Sequence, residues 1–306
     1  MFKKLSSSLM LVLLVMLAPA ACAADAASAT AAAGKSMTAA EFEASLKFQQ
    51  GQITLPNGIA SLNLPPSFRY LPPEDAERVL VDAWGNPPGA KSLGMIFPSN
   101  VSPLSPSGWG VVITYNEDGH VQDNDADSIK YDELLKDMQE SVKAANEERK
   151  KLGYDAMTLV GWAESPRYDK ATHKFYWAKE LAMEKAGQHS LNYNIRVLGR
   201  KGVLVLNAIA GMDQIDEIKR EMKEVVAFTE FSKGNGYADF DSSTDKVAEY
   251  GLAALVAGGV AAKLGFFGKI FALLLAAKKL VALAVIAIGA AIARLFGRKK
   301  DDAENT

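Results

Sequence analysis

Polar and aromatic side chains in the second half of the chain have the chemistry of a binding site. They are Trp162, Tyr168, Asp169, Trp177, Asn192, Asn194 and Arg196. Because alternate residues of a strand point to the same side of a sheet, Asn192, Asn194 and Arg196 are predicted to share one face. A polar face with nearby aromatic rings predicts binding of a partner protein or a glycan. The alternative is a solvated sheet face beside core tryptophans.

The same segment also contains two carboxylates that could act together in catalysis. Glu164 and Asp169 would act as the acid and the base of a hydrolase in the bacterial envelope. No serine with a placed base is recognisable, and nothing resembles the strand, turn and helix of a nucleophile elbow. Catalytic residues therefore stay unassigned, and non-enzymatic binding is the preferred interpretation.

Metal binding can be tested on the acidic run Asp123–Asp127. A calcium loop of the EF-hand type starting at Asp123 would need Gly at position 128 and Glu at position 134, where Ser128 and Leu134 stand. The run is instead predicted to be a solvated turn in which Asp127 or a neighbour caps the following long helix. The histidines, which lack the spacing of zinc ligands, are His120, His173 and His189. Neither a metal site nor a cofactor is predicted.

The charge of the chain argues against one class of partner. It has 34 Lys and Arg against 36 Asp and Glu, which gives a net charge of −2. Domains that bind DNA or RNA usually present a strongly basic face. No nucleic-acid partner is therefore predicted.

The N-terminus has the order of a secretory signal peptide. A basic start is followed by the apolar run Leu9–Ala18 and by two sequences that fit a cleavage site, Ala18-Pro19-Ala20 and Ala21-Cys22-Ala23. Residues 1–23 are predicted to be the signal and residues 24–36 a disordered, Ala-rich leader. Cleavage after Ala23 would remove Cys22, the only cysteine, and thiol chemistry with it. The alternatives are a retained N-terminal anchor and lipidation of Cys22.

The C-terminal part of the chain predicts a membrane anchor. No Asp or Glu occurs between Tyr250 and Lys300, as expected for a segment in contact with lipid, where acidic side chains are costly. Residues 280–297 form the best transmembrane helix, and residues 298–306 a charged tail on its cytoplasmic side. The anchor residues of this span are Leu280, Ile286, Ile292 and Phe296.

The preceding residues, 247–279, are apolar but interrupted by glycines and lysines, and they are predicted to associate with the membrane. A hairpin of two membrane helices, a buried helical hairpin in a soluble protein, and membrane-active or oligomerising helices are the alternatives. Together the two ends predict a protein of the bacterial inner membrane whose main domain is periplasmic. Its predicted partners are the lipid bilayer and another envelope protein or glycan.

Between the ends, helix and strand patterns predict an extracytoplasmic α+β domain over residues 37–232. Alternating residues around Asn57-Gly58 predict a hairpin. Four late strands with short connections predict a mostly antiparallel sheet packed with helices. The last of these strands, Val203–Ala210, is apolar on both faces and is predicted to be central. An amphipathic helix over residues 213–231 and a linker over residues 233–246 follow.

Several segments in register carry a family resemblance. They are Trp109–Tyr115, Gly161–Asp169, Asn192–Arg200 and Asp245–Leu252. The chain resembles, from about Gly51 to its C-terminus, the bacterial membrane-anchored proteins grouped as DUF2167. The resemblance implies an exported, membrane-anchored protein, and it brings no activity and no catalytic residues. The late strands followed by a helix also resemble the PsbP/Mog1-type α/β/α sandwich.

Overall fold

The structure, a computed structural model, describes residues 37–89, 91–185 and 187–257. The predicted signal, leader and charged tail lie outside these residues, as do the anchor residues Leu280, Ile286, Ile292 and Phe296. Among the described residues, no helix is both long enough and apolar enough to cross a membrane.

The chain alternates short helices with strands before four long strands run consecutively. The helices are α1 Ala39–Ala44, α2 Pro73–Arg78 with a π-helical continuation Val79–Ala83, α3 Tyr131–Lys151, α4 Ile215–Ala227 and α5 Leu252–Ala257. The strands are β1 Gln52–Thr54, β2 Ala60–Asn63, β3 Phe68–Leu71, β4 Met95–Pro98, β5 Gly110–Asn116, β6 Met157–Asp169, β7 Lys174–Met183, β8 Ser190–Leu198, β9 Val203–Gly211 and β10 Thr229–Phe231. The predicted hairpin joins β1 to β2, and Asn57 takes the positive φ of 69° that its turn requires.

The strands form two sheets in which every pairing is antiparallel. The large sheet has seven strands in the order β3-β4-β5-β9-β8-β7-β6, and the small sheet has three in the order β1-β2-β10. The predicted α+β class and the antiparallel arrangement of the late strands are therefore confirmed. Strand β9 lies inside the large sheet between β5 and β8, as its two apolar faces indicated.

Different elements cover the two faces of the large sheet. The α4 face, which carries Ala178 and Tyr193, packs against α4 and the small sheet. The α3 face carries Phe175 and Trp177, and these residues pack against α3 and α5. At the other end of the α3 face, Val112 and Ile209 pack against α2 and its continuation. The sheet is thus buried on both sides, and this burial determines the surroundings of the predicted site residues.

The helix predicted over residues 213–231 is shorter than its apolar pattern indicated. It ends at Ala227, and Thr229–Phe231 form β10 on the edge of β2. The Thr229 hydroxyl donates to the carbonyl of Val225 at 2.6 Å and so satisfies one carbonyl of the last turn. Pairing with a strand more than 160 residues earlier in the chain outweighs the local helical periodicity.

The acidic run does not cap α3, so that prediction is wrong. The N-cap position of α3 is Lys130, whose side chain makes no capping hydrogen bond. Asp125 instead accepts hydrogen bonds from the backbone N–H groups of Leu252, at 3.1 Å, and Ala253, at 3.4 Å. The run therefore caps α5, which is 127 residues away in sequence, and local sequence could not show this pairing.

Substitution Asp125→Ala is expected to destabilise the protein by about 1 kcal/mol, because it removes an N-cap from α5. Amide hydrogen exchange should become faster in Leu252–Ala257 and remain unchanged in β9. Asp127→Ala is the matched control, because Asp127 pairs with Lys170 in an exposed ion pair and its loss should change stability by less than about 0.5 kcal/mol. Equal exchange in α5 for both variants would show that Asp125 is not a cap.

Candidate functional site

Cross-strand pairing on the α3 face brings polar residues of three strands together. Residues directly opposite each other in antiparallel strands lie on the same face with their Cβ atoms about 5 Å apart. The opposite pairs are Lys179 with Asn192, Trp177 with Asn194 and Phe175 with Arg196 in β7 and β8, and Asn194 with Asn207 in β8 and β9. We call the resulting patch the polar strip; it consists of Trp177, Lys179, Asn192, Asn194, Arg196 and Asn207.

The predicted shared face of Asn192, Asn194 and Arg196 is confirmed by this register. The face is not solvated, however: Asn192 is 2% exposed, Asn194 3% and Asn207 4%. The solvated face of the alternative interpretation is therefore wrong for Asn192 and Asn194, which are buried. Trp177 is indeed a core residue, with no exposed surface, but it lies within the polar strip rather than apart from it.

The amides of the polar strip are partly bonded to one another. The Asn194 side-chain N–H donates to the carbonyl of Asn192 at 3.0 Å, and that of Asn207 donates to the Asn192 side-chain oxygen at 3.4 Å. The side-chain oxygen of Asn207 and the indole N–H of Trp177 are buried and have no hydrogen-bond partner within the described chain. A buried polar group left unpaired costs about 1–3 kcal/mol. The polar strip therefore has one acceptor, the Asn207 side-chain oxygen, and one donor, the Trp177 indole N–H, without a hydrogen-bond partner within the described residues.

Two cations complete the polar strip. The guanidinium carbon of Arg196 lies 4.9 Å from the centre of the Trp177 ring, in the geometry of a cation–π contact. Burial, and to a smaller extent the positive charge of Arg196, lower the pKa of Lys179 to about 8. Burial also lowers the pKa of Arg196 to about 10. Neither cation forms an ion pair with a carboxylate of the described residues.

The other predicted binding residues lie at two places along β6. Trp162 is opposite Lys179 and so borders the polar strip, and its buried indole N–H has no partner among the residues described. Tyr168 is near the far end of β6, where its hydroxyl donates to Asp123 at 2.8 Å. Asp169 accepts from the Thr172 hydroxyl at 2.8 Å and from the Ala171 N–H at 3.0 Å, which closes the turn before β7. The structure thus does not bring Tyr168 and Asp169 to the polar strip.

Two of the histidines meet in a cluster that their sequence spacing did not indicate. The ring centre of Tyr237 lies 3.9 Å from that of His173 and 4.3 Å from that of His120. Phe240 stacks on the other side of His120 at 4.0 Å. The segment 233–246, predicted to be a linker, also carries Asp245, which accepts two hydrogen bonds from Arg200 at 2.6 and 3.2 Å. This segment therefore packs against the turns at one end of the large sheet.

Stability is expected to fall as the pH decreases from 7 to 5, because burial lowers the pKa of His120 below 6.5. The unfolded chain then binds more protons than the folded chain, so acid favours unfolding. Asp123, whose pKa is also lowered, acts in the same direction but below this range. Urea unfolding at each pH should show a smaller decrease for His120→Gln than for the wild type. Equal decreases in the two proteins would contradict the assignment.

The carboxylates proposed for hydrolysis do not form a pair. Glu164 is opposite Ala178, and its carboxylate lies 3.3 Å from the Lys219 ammonium. Asp169 is opposite Lys174, four residues further along β7, which corresponds to about 13 Å. Paired carboxylates in glycoside hydrolases are about 5–10 Å apart, so this pair lacks that geometry. Within the described residues, no group of three or more His, Cys, Asp and Glu side chains could hold a metal ion.

Sequence reasoning missed Lys179 and Asn207. Asn207 was visible as the only polar side chain in the apolar strand Val203–Ala210, where a buried amide requires an explanation. Lys179 follows Trp177 by two residues, so the same periodicity that grouped Asn192 with Asn194 would have placed them on one face. Its partial burial depends on tertiary packing, which no pattern in β7 indicates.

Comparison with solved structures finds distant likenesses. PsbP (CyanoP) of the cyanobacterium Synechocystis sp. PCC 6803 is 12% identical over 66% of this chain and 98% of its own, with a TM-score of 0.32. LpqN, described as involved in cell envelope biogenesis of Mycobacterium tuberculosis, is 16% identical over 65% and 99%, with a TM-score of 0.30. The Ran-binding protein Mog1p of Saccharomyces cerevisiae is 10% identical over 60% and 95%, with a TM-score of 0.31. Scores this low support no argument about function.

No match was found among curated proteins. The family model described as "Protein of unknown function (DUF2167)" matches residues 47–289. This range contains the whole large sheet with its polar strip, and it extends beyond α5. Because the match covers well over half of the 306 residues, the chain belongs to the DUF2167 family.

Proposed function

We propose that this protein is a binding module of the bacterial envelope that acts by non-covalent recognition. The observation that carries the proposal is the polar strip. It places two cations, three amides and an indole N–H on a covered sheet face that a purely structural sheet would fill with apolar side chains. Retaining polar groups that reduce stability is typical of functional sites.

The proposed location follows from the two ends of the sequence. The signal would export the chain, and the span over residues 280–297 would hold it in the inner membrane with residues 37–246 in the periplasm. In that arrangement the domain that carries the polar strip lies among envelope components. A neighbouring envelope protein or a glycan is the partner class that we propose.

Photo-crosslinking in cells tests the binding function. A photo-reactive amino acid in place of Trp162, which borders the polar strip, is expected to give a discrete adduct with one envelope component. The same amino acid in place of Leu152, which is 64% exposed at the end of α3, is the control and should not give it. If position 162 yields no adduct, or only the adducts seen from position 152, the proposed binding function is wrong.

Protease treatment of spheroplasts tests the proposed location. Protease added outside is expected to degrade the domain over residues 37–246 while the inner membrane is intact. A cytoplasmic marker protein should survive in the same sample. Degradation of the domain only after the membrane is disrupted would place it in the cytoplasm and contradict the proposed topology.

A further inference from the structure

We propose that the polar strip binds an oxyanion, a carboxylate or phosphate group carried by its ligand, between Lys179 and Arg196. This inference rests on the proposed function and names the chemistry that the binding module recognises. Three observations support it: the missing counter-charge of the two cations, the hydrogen-bond donors around them, and the distance between the two cations along the sheet.

The first argument is the missing counter-charge. Lys179 and Arg196 are both partly buried, and a buried cation is costly unless a charge or several hydrogen bonds compensate it. The titratable group whose charge raises the pKa of Arg196 is Tyr250, and the Tyr250 hydroxyl donates to Asp118 at 2.6 Å. No carboxylate contributes to the lowered pKa of either cation. Within the described residues, the compensating charge is therefore missing.

The remainder of the sequence offers few acids that could supply this charge. Outside the described ranges the acids are Asp25, Asp301, Asp302 and Glu304. Under the proposed topology Asp25 lies in the leader, and the other three lie in the charged tail on the cytoplasmic side of the membrane. A ligand is then the natural source of negative charge.

The second argument is the set of donors. The guanidinium of Arg196 presents a planar fork that matches the oxygens of a carboxylate or phosphate, and Lys179 adds a point charge. The indole N–H of Trp177 is fully buried and has no partner within the described residues, so it is a further donor. The unpaired oxygen of Asn207 is an acceptor, which suits a hydroxyl group adjacent to the anion.

The third argument is spacing. Each pair of residues directly opposite each other in β7 and β8 forms one row on the α3 face. Lys179 and Arg196 belong to rows on either side of the Trp177–Asn194 row, and successive rows on one face are about 7 Å apart. The Arg196 guanidinium extends to the middle row, since it lies over the Trp177 ring. The two charges are close enough for Arg196 to lower the pKa of Lys179. An anion above the middle row would therefore face both cations.

Thermal unfolding of the full chain in a non-ionic detergent tests the proposal, with inorganic phosphate and sodium acetate as probes against chloride at equal ionic strength. An anion at several times its dissociation constant should raise the wild-type Tm by about 3 °C. Lys179→Met and Arg196→Met should lose this shift, and Lys174→Met, on the same strand but the opposite face, should keep it. A larger response to phosphate or to acetate identifies the type of oxyanion. Equal responses in the wild type and both cation variants would overturn the proposal.

A second measurement needs no variant. Calorimetric titration of wild-type protein with acetate at pH 8, in two buffers of different ionisation enthalpy, should show proton uptake, because a bound anion favours the charged form of Lys179. A titration with phosphate measures the binding of the second anion. Binding without proton uptake, or no binding of either anion, would contradict the oxyanion site. If the calorimetric test fails but position 162 gives a specific crosslinked adduct, the protein still has a binding function, and its ligand is neutral. If the crosslinking also gives no adduct, the proposed binding function is wrong as well.

Discussion

Substitution Trp177→Ala is expected to destabilise the protein by about 3–5 kcal/mol, the usual loss when a large aromatic side chain is removed from a core. Trp177 has no exposed surface, and its ring packs edge-on against Phe175 at 5.4 Å between centroids. The substitution also removes the ring over which the Arg196 guanidinium lies. Urea unfolding followed by circular dichroism measures the change in the free energy of unfolding.

Substitution Trp177→Phe distinguishes the packing of the aromatic ring from the hydrogen bonding of the indole N–H. The indole N–H has no partner within the described residues, so the free protein should lose only some contact area, and the cost should be about 1 kcal/mol. Anion binding, in contrast, should weaken, because phenylalanine has no N–H donor. If Trp177→Phe proved as destabilising as Trp177→Ala, the indole N–H would have a structural partner.

Substitution Lys179→Met is expected to stabilise the ligand-free protein by about 2 kcal/mol near neutral pH, because a partly buried, unpaired cation is replaced by an apolar side chain of similar length. The sign follows from the pKa of Lys179, which is about 8 in the folded protein against 10.5 for an ordinary lysine. Below pH 8 both states carry the charge, so the folded state bears its full desolvation cost. Between pH 8 and 10.5 the folded state loses its proton first, and that cost disappears.

The change in the free energy of unfolding caused by Lys179→Met should itself depend on pH, and this dependence is a control for the prediction. The stabilising effect of Lys179→Met should be constant below pH 8 and should shrink as the pH rises toward 10.5, as measured by urea unfolding at each pH. Lys174→Met, on the opposite face of β7, should change stability little at any pH. A destabilised Lys179→Met protein would mean that the ammonium has a compensating partner in the free protein, and the case for a ligand-supplied charge would fail.

Local sequence signals predicted the parts of the fold that local interactions determine. Asn57-Gly58 specified a turn because few other residues adopt positive φ there. The apolar run of β9 indicated a central strand because both of its faces are buried. The two-residue period placed Asn192, Asn194 and Arg196 on one face correctly.

The remaining features depend on contacts between distant segments. Asp125 caps α5, and Thr229–Phe231 pair with β2, through partners that are far away in sequence. Lys179 would be expected to be exposed, as lysines usually are, but in the folded protein its side chain is partly buried. Long-range packing thus created the polar strip from residues whose individual patterns indicated a solvated surface.

The central claim is that the polar strip holds unpaired positive charge that an oxyanion ligand neutralises. Nuclear magnetic resonance of the full chain with ¹³C-labelled lysine, assigned with Lys179→Met, would measure the pKa of Lys179 directly. We expect a pKa near 8 without added anion, and a clear increase in phosphate or acetate at the same ionic strength in chloride. A pKa of about 10.5, the ordinary value for lysine, that no anion changes would contradict the account.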